Sequence, residues 1–213
     1  MHIPDGVLPV TVVAAGYAVA VPATWYAIRK INQKENPREG VPRASLLTAA
    51  FFVVSWIHIP IPPASVHLVL NGLLGALLGY FAFPAILIGL FFQAVMFQHG
   101  GLTTLGVNSV IMGLPALLSY HVFRLRNMLK KDSPVMTGIF GFLAGFTGIG
   151  VSVILFVVIL ITNISTGLDV ETERMAIYAL ALAHLPLAAI EGVFTALITV
   201  FLQRVRPRLL DIA

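Results

Sequence analysis

Between Ala44 and Phe123 the chain carries no Asp, Glu, Lys or Arg. A membrane helix needs about 20 apolar residues to cross the hydrocarbon core, so this stretch is far too long for one crossing. Basic residues flank it on both sides: Arg29, Lys30, Lys34, Arg38 and Arg43 before it, and Arg124, Arg126, Lys130 and Lys131 after it. Because basic loops favour the cytoplasm, both ends lie inside and the number of crossings is even. Four helices of about 20 residues fit.

Two further apolar stretches complete the predicted fold. Val7 to Ile28 is uncharged and predicts a first span, while Pro134 to Leu202 predicts two spans joined by an acidic outer loop over residues 163–174. We therefore predict an all-α, polytopic membrane protein of about seven transmembrane helices, with the N-terminus outside and the C-terminus cytoplasmic. Apolar character runs from end to end, so residues 1–213 form a single domain.

Proline and glycine place the breaks within the central stretch. Helices are expected to end at His58 to Ser65, which includes three prolines, at Phe83-Pro84 and at Gly100-Gly101.

Composition excludes several functions. Of 213 residues 58% are hydrophobic and 10% are charged, and none is cysteine, so a metal site has to use nitrogen and oxygen ligands. The thirteen basic residues lie almost entirely in three short segments at the predicted inner surface, which argues against nucleic-acid binding. The chain has no phosphate-binding G-x-x-x-x-G-K-[ST] loop and no G-x-S-x-G or H-E-x-x-H motif, so we expect neither ATP hydrolysis nor hydrolase chemistry.

The first two residues offer three consecutive nitrogen donors. The α-amine of Met1, the amide nitrogen of His2 and its imidazole Nδ1 can close two fused chelate rings in one plane, a geometry that suits Ni(II) or Cu(II) better than tetrahedral Zn(II). Ile3-Pro4-Asp5-Gly6 has the pattern of a turn, which would fold the N-terminus back into the bundle. The alternative is a plain capped terminus, with Asp5 near the N-terminal end of the first helix.

Other polar residues are candidates to complete or support such a site. Four of the six histidines, His2, His58, His67 and His99, gather at the predicted outer surface, where His67 is a candidate fourth donor and His99 a weaker one. Asn71, four residues after His67, is expected to share its helix face and to orient it or the chelated end. Glu191 is the only charged side chain well inside a predicted span, seven residues from His184 on the same face, and is interpreted as functional or as a protonated structural carboxyl.

Four motifs resemble one known family: MHIPDG at residues 1–6, SVHLVLNGLLG at 65–75, GGLTTLGVN at 100–108 and HLPLAAIEG at 184–192. They are similar to CbiM and NikM, the substrate-binding (S) components of nickel and cobalt energy-coupling-factor (ECF) transporters, and most like NikM. The resemblance implies metal ligation by Met1, His2 and His67. We treat Asp5, Ser65, Asn71, His99 and Glu191 as candidates for supporting or gating that site.

The same resemblance implies a function. It predicts high-affinity capture of Ni(II) or Co(II), as transported substrate and without an organic cofactor, by a multi-pass protein of a prokaryotic plasma membrane. The expected partners are a transmembrane T component, cytoplasmic ATPase subunits that hydrolyse ATP, a small accessory membrane subunit if it is needed, and the lipid bilayer. The alternatives are a self-sufficient metal channel or secondary transporter, for which polar residues along a midplane path are expected, and a membrane metalloenzyme.

Overall fold

The computed structural model describes residues 2–61, 64–128, 133–164 and 169–210, and for residues 58–61 and 64–66 it describes the backbone. Its elements in chain order are α1 (Val10–Asn32), α2 (Val41–Val54), β1 (His58–Ile61), β2 (Ala64–His67), α3 (Asn71–Leu78), α4 (Ala82–Phe97), α5 (Leu105–Arg124), α6 (Pro134–Thr162) and α7 (Val170–Val205). Short 3₁₀ turns lie at Pro37–Gly40, Gly79–Phe81, Leu125–Met128 and Pro207–Leu209.

Length and hydropathy mark this as a polytopic membrane protein. Five helical stretches in the described part of the chain are long and apolar enough to cross a bilayer: Val10–Asn32, Asn71–Phe97, Leu105–Met128, Pro134–Thr162 and Val170–Val205. The count of about seven spans, and the orientation, stay predictions.

One of these five stretches, Asn71–Phe97, doubles back on itself. A continuous helix of 27 residues would be about 40 Å long. Yet His67 and His99, which lie just outside its two ends, have ring centroids only 5.3 Å apart. The chain therefore reverses at Gly79–Phe81, where Gly79 has a φ of +58°. The helix break predicted at Phe83-Pro84 lies a few residues too late, because Pro84 is tolerated in the first turn of α4.

The segment expected to be a plain loop after α2 is a short antiparallel hairpin. Strands β1 and β2 pair in the register His58 with His67 and Pro60 with Ser65. The side chains of His58 and Ser65, and all of Pro62 and Pro63, lie outside the described residues.

Helix α3 forms the centre of the bundle. Every one of its residues is buried. A Cβ on Gly72 would lie 2.6 Å from Gly145 Cα on α6, and one on Gly75 would lie 2.1 Å from the carbonyl oxygen of Ala116 on α5. Glycine at these positions lets three backbones approach closely, as in tightly packed membrane helices. The start of α3, four residues after His67, is thus held by both α5 and α6.

Candidate metal site

The N-terminal segment is folded into the bundle through Ile3, which is 1% exposed. Its N–H donates to Asn108 Oδ1 at 2.9 Å, and its carbonyl oxygen accepts from Asn108 Nδ2 at 3.0 Å. The Thr104 hydroxyl donates to the same carbonyl at 2.7 Å. Both polar groups of the Ile3 backbone are therefore satisfied by side chains at the start of α5. A turn is present one residue later than predicted, at Asp5 and Gly6, with Gly6 at a φ of +83°.

Asp5 makes the second attachment of this segment, at the N-terminal end of α5. Its carboxylate accepts the backbone N–H groups of Leu102, Thr103 and Thr104 at 3.1, 3.0 and 3.2 Å. These donors lie just before α5, where the positive end of the helix dipole also favours a negative charge. The Thr103 hydroxyl, followed by these backbone donors, lowers the pKa of the Asp5 carboxyl. The alternative in which Asp5 caps the first helix is therefore wrong, since Asp5 binds the loop that leads into α5 and the first helix has no side-chain cap.

The imidazole of His2, in the N-terminal segment, lies close to the imidazoles of His67 and His99. His2, His67 and His99 each offer one ring nitrogen within 4.8 Å of the other two. The ring centroids of His2 and His99 are 4.2 Å apart, and each of these rings lies 5.3 Å from the ring of His67. No other group of three potential His or carboxylate ligands is found among the residues that the structure describes. Met1 lies outside them.

The surroundings of His67 and His2 suit metal binding. His67 Nδ1 lies 2.9 Å from the carbonyl oxygen of Leu68, and a proton on Nδ1 that donates to this oxygen leaves the Nε2 lone pair for a metal. Burial lowers the pKa of the His2 imidazole well below its usual value and so favours its neutral form. A neutral imidazole is the form that binds a metal.

Glu191 supports the segment that carries His67. It is fully buried, and its carboxylate accepts hydrogen bonds from the backbone N–H groups of Val69 and Leu70, the latter at 2.8 Å. Leu70 has a φ of +56°, which is uncommon for a residue with a side chain. Glu191 thus holds the chain in an unusual conformation three residues after a candidate ligand.

Asn71 has partners other than those expected. Its Nδ2 donates to the carbonyl oxygens of Met112 and Gly148 and to Ser152 Oγ, at 3.3, 3.1 and 2.8 Å. His67 ends β2, whereas Asn71 begins α3, so the two residues do not share a helix face. Asn71 therefore joins α3 to α5 and α6. Its amide nitrogen makes these contacts and does not orient His67, as had been expected.

Sequence reasoning missed Gln93 and Asn108. Gln93 is fully buried in α4, donates to Ser55 Oγ at 3.0 Å, and lies close enough to interact with the His2 ring. Gln93 is the one amide side chain in an otherwise apolar helix, and this feature of the sequence could have marked it as a candidate. Asn108 lies in the GGLTTLGVN motif, but spacing alone does not pair it with a residue 105 positions earlier.

The remaining described histidine side chains lie elsewhere. His184 Nδ1 lies 2.7 Å from the carbonyl oxygen of Leu180, one turn earlier in α7. His121 packs against Tyr80 and Tyr120, near the C-terminal end of α5. Neither joins the cluster of His2, His67 and His99.

Fold and site together define a multi-pass membrane protein in which the N-terminal segment folds in and brings the His2 imidazole next to those of His67 and His99. The chain belongs to the CbiM family, since the family model described as the cobalt uptake substrate-specific transmembrane region matches residues 2–209.

Relatives and a solved structure agree with this assignment. The chain is 33% identical to the cobalt transport protein CbiM of Sorangium cellulosum, covering 99% of this chain and 95% of that protein. It is 31% identical to the fused nickel transport protein NikMN of Rhodobacter capsulatus, covering 99% of this chain and 64% of that protein. A crystal structure of a truncated transition metal transporter aligns with a TM-score of 0.75 at 25% identity, over 96% of this chain and 99% of the other.

Proposed function

We propose that this chain captures Ni(II) or Co(II) with high affinity from outside the cell, as the substrate-binding component of an ECF-type uptake transporter. The observation that carries the proposal is the approach of ring nitrogens from His2, His67 and His99 to within 4.8 Å of one another. Named relatives that transport cobalt and nickel support the choice of metal.

The ligands in this proposal are the α-amine of Met1, the amide nitrogen and Nδ1 of His2, and Nε2 of His67. An all-nitrogen, nearly planar set suits Ni(II) and accommodates Co(II). The hydrogen bonds between Asn108 and Ile3 hold His2 near His67, and Glu191 fixes the backbone just beyond His67. The N-terminal segment and the segment that carries His67 are therefore held close together before a metal binds.

The contacts of Glu191 favour this function over a self-sufficient channel or secondary transporter. Such proteins need charged or polar groups along a path near the midplane. Glu191 was the strongest candidate for that role, but its carboxylate is engaged by two backbone N–H groups. We propose instead that a membrane T component and cytoplasmic ATPases, with a small accessory membrane subunit where needed, use ATP to drive release. The chain itself is not an enzyme.

Calorimetric Ni(II) binding to the purified chain tests the ligand set. One preparation is released from a fusion so that it begins at Met1, and a matched one carries a single glycine before Met1. The added residue, His2→Ala and His67→Ala should each weaken binding by at least about 100-fold, or roughly 2.7 kcal/mol. His121→Ala is the control, because His121 lies outside the cluster. Full affinity in the glycine-extended chain would remove the α-amine from the ligands.

Reconstitution tests the place of the chain in a transporter. The isolated chain in proteoliposomes should bind but not accumulate Ni(II), and accumulation should require the T component, the ATPases and ATP. Sustained uptake by the isolated chain would instead establish the channel or secondary transporter.

A further inference from the structure

Four basic side chains gather at the ends of three helices, at the opposite end of α1 and α5 from the histidine cluster. Lys30 lies in the last turn of α1 and Lys34 just after it, Arg43 lies in the first turn of α2, and Arg124 ends α5. We propose that these four residues, here called the basic cluster, bind the phosphate of one anionic phospholipid molecule such as phosphatidylglycerol. The inference does not depend on the proposed metal capture.

Three cations of the basic cluster lie within electrostatic reach of one another. Burial lowers the pKa of the Lys34 amine, and the positive charges of Arg43 and Arg124 lower it further. The charge of Glu39 attracts Arg43, but in the described part of the chain no carboxylate forms an ion pair with Lys34, Arg43 or Arg124. Like charges held close together repel, so a bound anion stabilises this arrangement.

Arg43 retains hydrogen-bond donors that no described residue uses. Its Nη1 donates to the carbonyl oxygen of Leu209 at 2.6 Å, which fixes the guanidinium. Its Nε and Nη2 are buried and make no hydrogen bond to any residue that the structure describes. A buried donor without an acceptor is costly, and the planar guanidinium matches the oxygens of a phosphate. A phosphate that enters beside Lys34 would satisfy these donors.

A row of tyrosines joins the two sides of the basic cluster. The ring centroids of Tyr26 and Tyr80 are 5.8 Å apart, and those of Tyr80 and Tyr120 are 5.2 Å apart. At one end of the row Lys30 Nζ lies 5.7 Å from the Tyr26 ring, and at the other Arg124 Nη1 donates to the Tyr120 hydroxyl at 2.9 Å. The row therefore places phenolic donors among the cations and connects α1 to α5.

The residues beside the basic cluster place it at the depth of lipid headgroups. Trp25 and Tyr26, near the C-terminal end of α1, are 60% and 45% exposed, and Arg29 Cζ lies 5.3 Å from the centre of the Trp25 ring. Exposed Trp and Tyr beside basic residues at the end of a membrane helix are typical of the lipid–water interface. Lipid phosphates are abundant at this depth, and basic pockets between membrane helices bind such headgroups. A phospholipid is therefore the occupant that this position favours.

Native mass spectrometry of the purified, delipidated full chain tests the site. The chain is titrated with phosphatidylglycerol and with phosphatidylcholine that carries the same acyl chains. The wild type should bind one phosphatidylglycerol at least about 20-fold more tightly, because several cations each favour the anionic headgroup.

Variants locate the site within the chain. Lys34→Gln and Arg124→Gln should each reduce the preference for phosphatidylglycerol about 5-fold, equivalent to about 1 kcal/mol. Arg29→Gln is the matched control, since it removes the same charge near the same helix end but its guanidinium lies over Trp25. It should keep the wild-type preference.

Each outcome supports or overturns the lipid site. Equal affinity of the wild type for the two lipids overturns it, and this comparison needs no variant. Displacement of phosphatidylglycerol by excess inorganic phosphate would assign the basic cluster to a soluble anion. A loss of preference as large in Arg29→Gln as in Lys34→Gln would reduce the effect to general surface charge. Variants that keep the lipid preference but no longer support uptake by the reconstituted transporter would assign the cluster to a protein partner.

Discussion

The backbone N–H of Leu70 donates to the carboxylate of Glu191 at 2.8 Å, and this bond joins the last long helix to the segment that carries His67. Because both groups are buried, the contact has no water to replace it. The position of a candidate metal ligand therefore depends on a side chain 124 residues further along the chain.

Replacing Glu191 should weaken metal binding without removing a ligand. Glu191→Gln keeps one acceptor oxygen and should lower Ni(II) affinity about 10- to 100-fold, the range seen when groups that orient metal ligands are changed. Glu191→Ala leaves two buried N–H groups unsatisfied and should also lower the free energy of unfolding by about 1–3 kcal/mol per group. Titration calorimetry and thermal unfolding measure these effects. Glu173→Gln, a change in the first turn of the same helix, should alter neither. Wild-type affinity in Glu191→Ala would contradict the positioning role.

Asn108 should be required to keep the N-terminal segment in the bundle. Asn108→Ala removes the acceptor for the Ile3 N–H and a donor to its carbonyl, which leaves buried polar groups unpaired. We expect Ni(II) affinity to fall by at least about 10-fold, since each unmade buried bond costs about 1–3 kcal/mol. Aminopeptidase should also shorten the metal-free variant faster than the wild type. The control is Ser109→Ala, whose hydroxyl bonds only within α5; equal digestion of Asn108→Ala and the wild type would argue against the anchor.

Asp5 predicts a specific pH dependence of stability. Its lowered pKa means that the contact with α5 stabilises the native state fully above the unfolded carboxyl pKa, about 3.9, and is lost as the pH falls through the lower native value. The difference in melting temperature between the wild type and Asp5→Asn should therefore stay constant from pH 8 to about pH 5 and close only below about pH 4. Thermal unfolding across this range measures it. A difference that vanished between pH 8 and pH 6 would assign the effect to another group.

Gly101 should not accept a side chain. A Cβ at this position would lie 1.9 Å from Asp5 Oδ1, so Gly101→Ala has to displace the carboxylate from its three backbone donors. Overpacking of this kind costs about 1–3 kcal/mol, and we expect a lower melting temperature together with weaker Ni(II) binding. Gly150→Ala is the matched control, because a Cβ there meets nothing within 4 Å. Equal behaviour of the two variants would show that the Asp5 contact is dispensable.

The helical membrane fold follows from the sequence because long apolar stretches between basic clusters leave few alternatives in lipid. The reversal at Gly79 was anticipated only approximately. Pro84 predicts a break, but the first turn of a helix accepts proline. The chain instead reverses at Gly79, which has a positive φ. The hairpin of β1 and β2 was not predicted, since its prolines favour a loop reading.

The arrangement of the candidate site is only partly predictable from the sequence. The donors of His2 and the turn after Ile3 are local patterns, so they can be read from adjacent residues. The partners of Asp5, Ile3 and Glu191 lie about 100 or more positions away, and Asn71 bonds across to α5 and α6. Such contacts depend on helix packing, which spacing along one chain does not specify.

Helix α7 has 36 residues and is therefore about 54 Å long, whereas the hydrocarbon core is about 30 Å thick. Even a tilted helix of this length protrudes into water, and its first turn carries Glu171 and Glu173 next to Asp169. Arg174 pairs with Glu171 at 3.4 Å, and the remaining carboxylates leave the start of α7 with a net negative charge. At low salt, the electric field of this negative charge attracts dissolved cations and raises their concentration near the start of α7.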